Sequence, residues 1–173
     1  KGESLVQHDL NRGLEADYAL VAYGGNDSDY DWAAIDADPA GNHHPRTELP
    51  AFREKLRHTV TMLREKGIQP VLMSLPPIDA TRYLAFICRD GLRKERIMDW
   101  LGDVQMIYRH QEMYSDAVTQ LAYAEGLPLI PVREEFLNDH RLMRLIAADG
   151  IHLTMPGYER LFDTLADWLR IRV

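Results

Sequence analysis

Three short apolar runs, separated by stretches with helical spacing, constrain this chain more than any other feature. Residues 18–23 (Tyr-Ala-Leu-Val-Ala-Tyr), 69–75 and 127–132 are almost uninterrupted in apolar side chains. Runs of that length without polar alternation are expected of strands covered on both faces in a parallel sheet. Between them the period is near 3.6. Phe52, Leu56, Val60 and Leu63 recur up to Gly67, and Pro50 stands near the first turn of that segment, where a missing N–H is harmless. Residues 79–125 are expected to form two or three helices broken near Gly91 and Gly102. The last of these carries Met106, His110, Met113, Tyr114, Ala117 and Leu121 on one core-facing side. A short helix is expected over residues 3–14, further helical pieces over 133–137 and 141–147, and a final helix from near Pro156. Tyr158, Leu161, Phe162, Leu165, Trp168 and Leu169 form the apolar side of that final helix. The alternation of strand and helix places the chain in the α/β class. No repeat or linker divides it, and 173 residues suit one sizeable core, so residues 1–173 are read as a single domain.

Charge and cysteine content narrow the partners. A net charge of -7 opposes the basic footprint that a polyphosphate backbone requires, so no nucleic-acid partner is expected. No run reaches the roughly 18 apolar residues of a membrane span, and no membrane partner is expected. The single cysteine, Cys88, excludes an internal disulfide and suits a reducing compartment, which makes a cytoplasmic location the expectation. Its apolar neighbours make it a buried structural thiol. Residues 28–50 show no periodicity and read as a long loop, a length that usually serves a site. Tyr30, Trp32, His43 and His44 in this loop are expected to border the site. Adjacent histidines do not easily face one ion and no carboxylate stands at ligand spacing, so neither a metal nor another cofactor is expected.

Two polar motifs stand where open α/β sheets collect their chemistry, beyond the carboxyl ends of strands. Gly24-Gly25-Asn26-Asp27 closes the first apolar run, and Asp149-Gly150-Ile151-His152 precedes the last helix. A carboxylate three residues before an imidazole can accept a hydrogen bond from one ring nitrogen and so fix the tautomer. The other nitrogen is then free to take a proton from a hydroxyl.

In combination the two motifs resemble the SGNH, or GDSL-type, hydrolase family. Its third block is Gly-x-Asn-Asp, matched by Gly24, Asn26 and Asp27. Its fifth is Asp-x-x-His ahead of a helix, matched by Asp149 and His152, and the Leu153-Thr154 and Gly157 that follow also fit. The resemblance implies a flavodoxin-like three-layer α/β/α fold with a parallel sheet of order 2-1-3-4-5, in which the three visible runs are the third to fifth strands. It implies serine-type hydrolysis of a small-molecule acyl ester of a carbohydrate or lipid. His152 would be the general base and then the general acid, and Asp149 its orienter. Asn26 would donate to the oxyanion, Gly24 would let the backbone turn beside it, and Asp27 would fix the loop by hydrogen bonding.

The family's first block, a Gly-Asp-Ser after the first strand, has no clear counterpart. Gly2-Glu3-Ser4-Leu5 matches it in letters, but no buried strand precedes it and Ser4 stands only 22 residues before Asn26. Ser4 is expected in a first helical turn, Ser28 in a loop, Ser115 in mid-helix and Ser74 at the close of the second strand. The nucleophile is left unassigned. The expectation is a domain whose first two strands and nucleophile lie outside this sequence. The edge at residues 18–23 would be covered by a complementing N-terminal segment or by a partner copy in a homodimer, because a flat apolar edge invites aggregation. A catalytically inactive binding or structural domain is the alternative, and the sequence upstream of Lys1 would separate the two.

Overall fold

A computed structural model describes residues 2–172, with side chains as far as residue 170. The apolar runs become three parallel strands, β1 (Tyr18–Val21), β2 (Gln69–Met73) and β3 (Leu129–Ile130), hydrogen-bonded in the order β1-β2-β3. Parallel neighbours need long crossovers, and each here is helical. Helices α2 (Trp32–Ala37) and α3 (Leu49–Glu65) join β1 to β2, while α4 (Ala80–Cys88), α5 (Lys94–Leu101) and α6 (Gln105–Glu125) join β2 to β3. Helix α1 (Gly2–Asn11) precedes the sheet. After it come α7 (Val132–Leu137), a 3-10 turn at Leu142–Arg144 and α8 (Met155–Arg172).

The alternation of side chains along β2 sets the layers. Leu72 points into a core shared with α1, α3 and α6, containing Leu10, Phe52, Leu63, Tyr114 and Val118. Val71 and Met73 point the other way, into a core with Phe136 of α7 and Leu161, Leu165 and Trp168 of α8. The result is a three-layer α/β/α arrangement. A third apolar cluster, with Trp32, Ile35, Tyr83, Ile97 and Ile107, ties α2, α4, α5 and the start of α6 together beyond the sheet. The strands are shorter than the apolar runs because side chains take over the backbone at their ends. The Leu75 N–H donates to Ser115 Oγ at 3.1 Å, and the Arg133 N–H to Ser74 Oγ at 3.0 Å.

Coverage on both faces holds for β2 and fails for β1. Tyr18 is 51% and Leu20 49% exposed. Leu20 aligns with Val71, on the α8 face of the sheet, and α8 packs on β3 and α7 at the other side of that face. The expected apolar side of α8 divides in the same way. Leu161, Leu165 and Trp168 pack inward, while Tyr158, Phe162 and Leu169 are exposed. Two further expectations are corrected. Met106 and Met113 on α6 are exposed and only Tyr114, Ala117 and Leu121 of that stripe are core, because the opposite side of the helix is also occupied. The presumed loop at 28–50 contains α2, a six-residue helix started by Asp31, whose carboxylate accepts the Ala34 N–H at 3.0 Å. Cys88 is half-buried, and burial pushes its thiol pKa up.

Candidate active site

The loop between the 3-10 turn and α8 is held almost entirely by its own atoms. Asp149 Oδ1 accepts the backbone N–H groups of Ile151 and His152, each at 3.0 Å. Its Oδ2 lies 2.6 Å from His152 Nδ1. A carboxylate can only accept, so Nδ1 carries the proton and Nε2 is left as a base. Burial works to raise the Asp149 pKa. The hydrogen bonds from the His152 N–H and ring and from the Ile151 N–H outweigh it, and hold the carboxyl below its ordinary range. The loop is docked on α4 through Gly150, whose carbonyl accepts the Asp79 N–H at 2.8 Å. Gly150 has φ +82°, and a Cβ there would strike the Asp79 carbonyl and the Tyr83 N–H, so both conformation and space require glycine.

The second loop follows β1. Gly24 is buried with φ +128°, and a Cβ there would meet Leu75 Cδ1 at 2.9 Å. Its carbonyl accepts the Ser28 N–H at 3.0 Å, and Ser28 Oγ donates to the Gly25 carbonyl at 2.9 Å. This turn leaves Asn26 exposed at its tip. The carboxylate that anchors the loop is Asp29, not Asp27. Asp29 Oδ1 accepts from Trp32 Nε1 at 2.9 Å and from the Tyr83 hydroxyl at 2.8 Å, and Oδ2 pairs with Arg46 at 3.3 Å. Asp27 contributes its backbone carbonyl to the Thr47 N–H. Asp27 also lines the cavity described next.

The two loops meet around one cavity of about 640 Å³, lined by Gly24, Asn26 and His152. Its wall continues over Tyr30, Trp32, Ile78, Trp100, Met106 and Ile107. His110 on α6 fastens this wall to the loop after β1. Its Nδ1 donates to the Ser28 carbonyl at 3.1 Å, so Nε2 accepts the Tyr30 hydroxyl at 2.9 Å. Burial lowers the His110 pKa, which keeps the ring neutral in this relay, and burial with the Glu48 charge pushes Tyr30 up to about 12. On the other side, Gln111 Nε2 donates to the Pro76 carbonyl at 2.9 Å. Arg133 Nη1 donates to Gln111 Oε1 at 3.0 Å and to the Leu75 carbonyl at 3.2 Å.

Asp149, His152, Asn26 and Gly24 are thus brought to one site, and Tyr30 and Trp32 border it as expected. His43 and His44 do not line it. His43 packs edge-on against Trp100 and His44 Nδ1 pairs with Glu48 at 2.5 Å, so the two rings diverge. Among the described residues no group of three metal-ligating side chains converges. The serines are occupied elsewhere. Ser4 is exposed on α1, Ser28 is bonded within its own turn, and Ser74 and Ser115 are buried holding the end of β2. Sequence reasoning missed Asp29, His110, Gln111 and Arg133, whose partners are distant in the chain. The one available signal was His110 on the helix face beside Tyr114.

A two-loop site of this kind, at the carboxyl ends of parallel strands, matches a known family. The model of the GDSL-like lipase/acylhydrolase family matches residues 2–160. The chain belongs to that family. It is 23% identical over 118 residues to the isoamyl acetate-hydrolyzing esterase of Saccharomyces cerevisiae, an alignment covering 68% of this chain and 46% of the yeast protein. The chain therefore spans less than half the length of that curated relative. Among solved structures it resembles a lipase/acylhydrolase of Enterococcus faecalis, with TM-score 0.62, 21% identity, 96% of this chain and 69% of that one. It also resembles a catalytic mutant of an acetylxylan esterase of Geobacillus stearothermophilus, with TM-score 0.62, 16% identity, 96% of this chain and 66% of that one. At these identities the structural likeness is one of fold. Among the described residues no helix is long and apolar enough to cross a membrane.

Proposed function

We propose that the protein is a serine-type esterase of small acyl esters, and that the meeting of the Asp149–His152 pair with Asn26 on one cavity carries this reading. His152 Nε2 takes the proton of a serine hydroxyl as its oxygen adds to the ester carbonyl. The Asn26 amide, beside the Gly24 turn, donates to the oxyanion of the tetrahedral intermediate, and a preorganised donor of this kind is worth about 3 kcal/mol. His152 then returns the proton to the departing alcohol, and the same steps with water release the acid. Asp149 holds the imidazole in the tautomer that permits both transfers. No cofactor takes part.

The nucleophile comes from outside the described serines. Tyr18 and Leu20 leave one face of β1 exposed, and Tyr158, Phe162 and Leu169 leave an apolar side of α8 exposed. A complementing β-strand and helix placed there would cover both and bring a serine to the carboxyl end of the sheet. Catalytic mutants of the bacterial acetylxylan esterase alter a serine in one case and an aspartate in another, the residue types that this reading requires. The half-buried lone Cys88 is consistent with work in the cytoplasm. A second copy at the β1 edge, or an inactive binding domain, would follow if no such segment exists. The test is turnover of p-nitrophenyl acetate by the full-length protein. His152→Ala is expected to reduce kcat by about 10²- to 10⁴-fold, and undiminished turnover in that variant would remove His152 from the mechanism.

A further inference from the structure

We propose that Tyr83 is a positioning residue, whose hydroxyl acts through Asp29 to hold the Asn26 turn in register with the Asp149–His152 loop. The inference rests on the reading of Asn26 as the oxyanion donor and names what places that donor. Both loops are mounted on the first turn of α4. Asp79 caps this helix by accepting the Thr81 and Arg82 N–H groups at 3.0 and 3.1 Å. On one side of the turn the Asp79 N–H donates to the Gly150 carbonyl, and Arg82 Nη1 donates to the carbonyls of Ile146 at 2.8 Å and Met143 at 3.1 Å. On the other side the next residue, Tyr83, donates its hydroxyl to Asp29 Oδ1 at 2.8 Å and accepts from Trp32 Nε1 at 3.3 Å. Trp32 Nε1 also donates to Asp29 Oδ1, so the three groups close a triangle. Burial and the Asp29 charge push the Tyr83 pKa up, so the hydroxyl remains a donor across the neutral range. The Asn26 side-chain amide has no hydrogen bond to any described residue, so its placement follows from the backbone of its turn. That backbone is held at Asp29, whose carbonyl also accepts the Arg46 N–H at 2.8 Å. His110 ties Ser28 to α6, but the helix that holds the acid/base loop is α4. Adjacent residues of one helical turn thus fix the donor relative to the base, and a misplacement of about 1 Å can cost on the order of 10²-fold in rate.

A double-mutant cycle, read by steady-state kinetics of the full-length protein on p-nitrophenyl acetate, tests the assignment. Tyr83→Phe removes the hydroxyl and leaves the backbone that docks Gly150. It is expected to lower kcat about tenfold, with KM within about twofold. The pH profile of kcat is expected to stay in place, since Asp149 and His152 keep their own bond. In the Asn26→Ala background the same substitution is expected to change kcat by less than about twofold, because the donor it placed is gone. A hydroxyl needed only for folding would lower kcat equally in both backgrounds. An equal loss in both, a loss confined to KM, a shifted pH profile, or an unchanged kcat in Tyr83→Phe would overturn the assignment. If Tyr83→Phe does not fold, Asp29 supplies the second comparison. Asp29→Leu is expected to lose about tenfold in kcat, and Asp29→Asn, which keeps an acceptor oxygen for Tyr83 and Trp32, at most about threefold. Equal losses in these two variants would likewise overturn it. Failure of the oxyanion reading looks different: Asn26→Ala alone would then leave kcat unchanged.

Discussion

Asp149 and His152 meet across three positions of the chain, whereas the wall opposite them joins His110 to Ser28 across 82 and Tyr83 to Asp29 across 54. The acid/base loop is a local structure. Its carboxylate satisfies two backbone donors and one ring within four residues, and it needs the rest of the fold only for a place to dock. The cavity wall is assembled from α2, α4, α5 and α6 and exists only once those helices have packed. The difference teaches that the reacting pair and the wall facing it are built separately here: one is set by a short motif, the other by hydrogen bonds and packing between remote segments.

The largest expected effect tests how far the short motif suffices. Asp149→Asn in the full-length protein can no longer fix the ring by accepting at both oxygens. It is expected to lower kcat by about 10²- to 10⁴-fold, with little change in KM. Steady-state kinetics check this, and a loss confined to KM would assign Asp149 to binding instead. Next is Asn26→Ala, expected to cost about 10²- to 10³-fold in kcat by removing an oxyanion donor. A rise in KM at unchanged kcat would instead assign Asn26 to binding.

Gly150→Ala addresses the docking of the acid/base loop on α4. A side chain at φ +82° against α4 is expected to cost about 2–4 kcal/mol, read as a lower midpoint in urea. A neutral result would mean that the loop does not depend on its dock. The smallest effect concerns the wall. Burial lowers the His110 pKa, so as pH falls through the ordinary histidine range the unfolded chain takes up a proton that the folded one refuses. The stability it contributes is present above the ordinary pKa near 6.5 and is lost as pH drops toward the lowered one. The Glu48 charge opposes this shift and the Ser28 carbonyl opposes it too. Tm is expected to fall by about 1–3 °C between pH 7.5 and 5, and His110→Gln is expected to flatten that fall. Asp149, whose pKa is lowered, acts in a separate window: its contribution is lost only below the ordinary carboxylate pKa.

The legible parts of this molecule were those written in short stretches. Apolar runs located β1, β2 and β3, glycines marked the breaks at Gly91 and Gly102, and the Asp-x-x-His and Gly-x-Asn-Asp spacings located both loops. The errors share a cause. A run such as residues 18–23 records that a strand is apolar and not whether both faces are covered, so the exposure of Tyr18 and Leu20 could not be read. The outward turn of Tyr158 and Phe162 was hidden for the same reason. The motif points to Asp27 as the residue that fixes the loop and gives no sign of Asp29. The choice depends on where Trp32, Tyr83 and Arg46 place their donors.

By itself the sequence determined the parallel α/β class and the Asp149–His152 pair, since these follow from periodicity and from contacts a few residues long, and the resemblance of its two motifs pointed to the family. Only the tertiary structure decided that Asn26 shares a cavity with His152, that Asp29 and His110 tie the wall of this cavity together, and that one face of β1 stands open. Those properties depend on which distant groups satisfy one another, and backbone and side-chain hydrogen bonds between remote segments leave no periodic trace in the chain.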